Sequence, residues 1–161
     1  MSTFENIYLY TGGERPEVCA GQLAQALGGE VVRARDRVIV KRPMVNVPDG
    51  WVRGDVVENM YYENPPDPQH LAVMDLYDIS FDVWCTPEAE RFQRQEAGLV
   101  FDAIVGMLRY PVVLTHDGDL LISAWAPALG RTDFQAGTTS YADSEELWRP
   151  YADPARLLTR P

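Results

Sequence analysis

"LYDISFDVWCT", residues 76–86, is the stretch on which the fold turns. Tyr77, Ile79, Phe81, Val83 and Cys85 fall on one side of an extended chain, and Asp78, Ser80, Asp82 and Trp84 fall on the other. Such alternation predicts a strand with one buried face and one wet face. Immediately after it, Thr86-Pro87-Glu88 supplies a capping hydroxyl, a proline for the first helical position and an acid for the first turn. A helix is therefore expected to run from there to about Arg109. Ala97, Val100, Phe101, Ile104 and Leu108 would face the core, and Glu90, Arg91, Arg94 and Gln95 would stay polar.

Beyond the helix, "YPVVLTHDGDLLISAW" (residues 110–125) places Asp117-Gly118 between two apolar runs, the strongest short hairpin signal. Upstream, "NIYLYT" reads as an opening strand. "PEVCAGQLAQALGG" reads as a helix started by Pro16, carrying Ala20, Leu23, Ala24 and Leu27 on one face and ended by Gly28 and Gly29. "EVVRARDRVIVKR" gives two short strands turning near Arg35-Asp36, and "WVRGDVVENMYY" suits another. The prolines of "ENPPDPQ" keep that segment out of a sheet interior and make it a loop. From about Ala126 a tail begins, with a short helix near "SEELWRPYA". This order predicts a single α+β domain over residues 1–161: a two-layer sandwich of an antiparallel or mixed sheet with two helices on one face. The other face is left to solvent, to the tail or to a partner.

The candidates for chemistry weigh little. His116, Asp117 and Asp119 are close in sequence, but metal ligands must converge from several elements, and a closing EF-hand glutamate is missing. No metal and no cofactor is expected. Ser80 and Ser123 lack a nucleophile-elbow pattern, and Cys19 and Cys85 read as buried structural cysteines. "TGGE" at residues 11–14 lacks the spacing and Lys-Ser/Thr ending of a phosphate loop. The expectation is accordingly that the chain is not an enzyme. The competing reading is a small-molecule-binding module or small enzyme with a pocket between sheet and tail, using Asp78, Asp82 and His116.

Charge points elsewhere. The net charge is −10, and from Asp49 to Glu88 nine acids face one base, Arg53. An acidic middle repels phosphates and attracts a basic protein, so nucleic acid is not an expected partner. No apolar run is long enough for a membrane span, and "MSTFENIYLY" lacks the features of a signal peptide, so a cytoplasmic location is expected. Within the acidic region, aromatic side chains mix with acids: Trp84 beside Asp78 and Asp82, and Tyr61 and Tyr62 beside Glu58 and Glu63. In the tail, Tyr141 and Trp148 lie near Glu145 and Glu146. Aromatic anchors ringed by charge suit a protein interface. The alternative for the tail is that its aromatics pack back onto the sheet and complete the core.

The run "DISFDVWCTPEAERFQRQEAGLVFDAIVGMLRYPVVLTHDGDLLI" and the opening "IYLYT…VCAGQLAQALGG" together resemble the Sit-type immunity proteins of bacterial toxin–immunity pairs. The resemblance covers about half of the chain and is one of element pattern, with no counterpart for residues 46–75 or for the tail. It implies a protein that binds and neutralises a cognate toxin, with no catalytic residues to carry over.

Overall fold

The computed structural model describes residues 4–86 and 90–158, with only the backbone of Glu90. Pro87 and Glu88, expected to open the second helix, lie outside them. Among the described residues, eight strands form one antiparallel sheet: β1 (Glu5–Leu9), β2 (Glu30–Ala34), β3 (Arg37–Pro43), β4 (Trp51–Glu58), β5 (Ile79–Thr86), β6 (Val112–His116), β7 (Leu120–Ala126) and β8 (Gly130–Asp133). Their order across the sheet is β2-β3-β4-β5-β1-β6-β7-β8. The first strand of the chain thus lies inside the sheet, with Ile7 opposite Phe81 on one side and Leu114 on the other.

This order explains the two long helices. β1 and β2 run parallel without being neighbours, as do β5 and β6, and a parallel connection needs a crossover rather than a tight turn. Helix α1 (Pro16–Leu27) makes the first crossover and α2 (Glu90–Met107) the second. Pro16 occupies the first turn of α1, and Gly28 ends it in the left-handed region at φ 64°. Both helices press on one sheet face. Cys19, Ala20 and Leu23 of α1, and Ala97, Val100, Phe101 and Ile104 of α2, form one core with Ile7, Leu9, Phe81 and Val83. Where β4 and β5 pair, Gly54 makes close packing feasible, since a Cβ there would stand 2.3 Å from the Asp82 carbonyl oxygen.

The expected α+β class holds, but the two-layer arrangement does not. The tail adds β8 and the short helices α3 (Glu145–Trp148) and α4 (Pro154–Leu158). Trp148, Tyr151 and Leu157 pack on the face opposite α1 and α2, in a second core with Tyr8, Val113, Leu121 and Ala124. A partial third layer results. It covers the β1-β6-β7 half of that face, while Trp51, Val57 and Arg53 on β4 stay exposed. The physical reason is that Tyr8, Val113, Leu121 and Ala124, pointing outward from β1, β6 and β7, carry apolar surface that requires cover. The strand expected from residue 76 begins at Ile79. Tyr77, expected on its buried face, belongs instead to the second core, where its hydroxyl donates to the Tyr151 carbonyl at 3.0 Å.

Among the described residues, no helix is long and apolar enough to cross a membrane.

Candidate functional site

The hairpin segment resolves first. Asp117 and Gly118 take φ of 51° and 74°, and the Asp119 N–H donates to the His116 carbonyl at 3.1 Å, so this is a tight hairpin turn. The turn also holds Phe4, the residue before β1. Phe4 N–H donates to an Asp117 carboxylate oxygen, and Asp117 N–H donates to the Phe4 carbonyl, both at 2.8 Å.

His116 sits on the helix-side face, away from Asp82. Arg94 donates to its Nε2 at 2.9 Å, which leaves the proton on Nδ1, 2.6 Å from Glu5 Oε1. Burial pushes the Glu5 carboxyl above its ordinary 4.5, against the lowering influence of His116 and Arg94. A carboxyl raised by folding binds its proton more tightly in the folded state. Its contribution is therefore fully present below pH 4.5 and is lost as pH rises through the folded value. Glu5→Gln keeps an acceptor for Nδ1–H and is expected to flatten that decline. Urea midpoints measured from pH 4 upward check this, and an unchanged slope in the variant refutes it.

Asp78 is occupied as well. One carboxylate oxygen accepts from Thr11 N–H (2.7 Å), and the other accepts from Thr11 Oγ1 (2.7 Å) and Gly13 N–H (2.9 Å). The "TGGE" loop thus spends its amides on Asp78, and the Asp78, Asp82 and His116 trio does not converge. Burial raises both thiols, Cys19 to about 12 and Cys85 to about 11, so neither ionises near neutral pH.

A different group does converge. On the face opposite the long helices, where the tail stops, lies a recess of about 540 Å³. Four of the residues expected to contact a partner line it: Glu58, Tyr61, Asp82 and Tyr141. With Asp75, Asp117 and Asp119, they give the lining five carboxyl groups (Glu58 and Asp82 included), and His70 is the only basic side chain lining it among the described residues. His70 is already engaged at 3.0 Å by Asp67, whose hydrogen bond raises its pKa. The lining is partly pre-set. Asp82 Oδ1 accepts from Asn6 Nδ2 (2.7 Å) and Ser80 Oγ (2.9 Å), and Tyr141 donates to Asp119 at 2.5 Å.

The other expected contact residues are dispersed. Trp84 is half-buried, edge-on to Phe4 and under the Arg53 guanidinium at 5.0 Å. Tyr62 and Glu63 line a separate, smaller recess of about 160 Å³. Glu145 and Glu146 ride on α3, outside the large recess. Trp148 is fully buried, with Nε1 donating to the Tyr141 carbonyl at 3.1 Å, so it supports the wall and presents nothing to a partner. This corrects its expected role as a contact residue: its ring is buried in the second core, which Val113 and Ala124 share.

Sequence reasoning missed Asn6, Tyr8 and Asp75. Asn6 and Tyr8 are the outward positions of β1, and only its pairing with β5 sets them opposite Asp82 and Ser80. No three His, Cys, Asp or Glu residues among those described are close enough to hold one metal ion. Comparison of the chain with known protein families, with curated proteins and with solved structures gives no match.

Proposed function

We propose that the chain is an immunity protein, which binds a basic toxin domain in the cytoplasm and blocks its active site. The observation that carries this reading is the convergence of Glu58, Asp82, Tyr61 and Tyr141 on one acidic recess beside an uncovered half-sheet. Carboxylates there draw a basic partner in and fix its register, and the tyrosines supply contact area at small entropic cost. The element-pattern resemblance to Sit-type immunity proteins and the net charge of −10 support the same reading. Inhibition is then stoichiometric occlusion, with an association rate that falls as salt rises. Mixing the purified protein with the secreted toxin domain encoded beside it should give a one-to-one complex by size-exclusion chromatography and abolish toxin activity. Unaltered toxin activity with no complex refutes the proposal.

A second reading is a module for a small ligand, favoured by the position of the recess between sheet and tail. Its chemistry would differ from that expected from sequence, because Asp78 and His116 are absent from the lining.

A further inference from the structure

We propose that the recess is a guanidinium-binding subsite, which takes an arginine side chain presented by the protein partner. This rests on the reading of the chain as a binder of a basic protein and specifies which group that partner inserts.

The first support is the hydrogen-bonding character of the lining. Asp82 is held by Asn6 and Ser80 through Oδ1 alone, and its Oδ2 accepts nothing among the described residues. Asp75 likewise accepts the Ala72 N–H through Oδ2 only. These free oxygens are acceptors, so a matching ligand must bring N–H donors and positive charge.

The second support is independent of the acids. Tyr8 is 4% exposed, lines the recess, and has no hydrogen-bond partner for its hydroxyl among the described residues. The hydroxyl lies 3.9 Å from where a side chain at Gly118 would begin, beneath the hairpin turn. With the ring buried and the hydroxyl opening onto the recess, it marks a place for a polar group. Burial and the neighbouring Asp82 hold its pKa well above the ordinary value, so it stays a neutral phenol whose lone pairs can accept from a cation.

Arginine fits better than the alternatives. A metal ion would need three close ligands, which the described residues do not offer. A lysine ammonium is a compact, strongly hydrated charge that can reach few of these separated oxygens. A planar guanidinium spreads five N–H donors, loses less hydration and stacks on aromatic faces such as Tyr61 and Tyr141. Its methylene stem would lie against Met60 and Met74, which also line the recess.

The test titrates N-acetyl-argininamide into the ¹⁵N-labelled protein, with N-acetyl-lysinamide and spermidine in parallel. Saturable shifts confined to residues around Tyr8, Asp82 and Gly118 are expected for the arginine compound. Asp82→Asn should weaken its binding about tenfold, as loss of a charge-assisted contact does. Tyr8→Phe should also weaken it while leaving the melting temperature unchanged or higher, which separates binding from folding. Glu17→Gln, on exposed α1, should have no effect. No saturable shift, or equal binding of all three cations, overturns the proposal. So does a toxin complex whose affinity is unmoved by Asp82→Asn, since the partner's arginine would then be docking elsewhere. Arginine binding at the recess with no toxin complex would instead refute the immunity reading and leave the guanidinium site standing.

Discussion

Glu96→Ala should destabilise the protein by about 3–5 kcal/mol, the cost of breaking a buried ion pair by removing one partner. Glu96 is fully buried on α2, and its Oε2 accepts from Arg42 on β3 at 3.1 Å. Its Oε1 accepts from the backbone N–H groups of Val45 (2.7 Å) and Asn46 (2.9 Å), and from Asn46 Nδ2 (3.3 Å). One carboxylate thus ties the second helix to the strand and loop beneath it. The alanine variant strands the Arg42 charge and orphans two amides together. Replacing the pair jointly, Arg42→Met with Glu96→Leu, should recover only part of the loss, because the Val45 and Asn46 amides still lack an acceptor. Denaturant unfolding of the three variants gives the comparison. Full recovery in the double variant would show that the charge pair alone matters and that the loop amides find other partners.

Trp148→Ala should cost about 3–5 kcal/mol by emptying a large buried site. The more informative result is where the loss appears. Trp148 joins the tail to Val113 and Ala124 and holds the Tyr141 carbonyl, so its removal should loosen residues 141–158 before the sheet unfolds. Limited proteolysis should then cut within that segment while β1 amides keep their hydrogen-exchange protection. Since Tyr141 walls the recess, N-acetyl-argininamide binding should weaken as well. Cleavage no faster than in the parent chain would mean that Tyr151 and Leu157 suffice to dock the tail.

Much of the architecture is legible in local sequence because local chemistry causes it. Pro16 and Gly28 bracket α1, Asp117-Gly118 sets the hairpin, and the alternation from Ile79 to Cys85 marks β5. What escapes is whatever depends on non-local pairing. Nothing within "NIYLYT" says that it will lie between β5 and β6, so the outward positions Asn6 and Tyr8 look like any strand residues. The tail is ambiguous for a related reason. Trp148, Tyr151 and Tyr141 are chemically alike, and their depth is decided by how far the sheet's apolar half extends: two are buried and Tyr141 is 44% exposed. Glu96 did leave a signal. It falls with Gln93 on the helical stripe of Ala97, Val100 and Ile104, where a charge must be paired if it is to be buried.

The inside position of β1 also bears on synthesis. β1 leaves the ribosome before the other described strands, yet its neighbours are made much later: Glu5 pairs with Val83 and with His116. Meanwhile β2, β3 and β4 can zip together as a local meander, and β5 joins them as it emerges. Until β6 is translated, the nascent sheet keeps an unpaired margin, the kind of open edge that recruits other chains. The residues of β1 are thus the clasp between two half-sheets, held waiting until translation has passed His116.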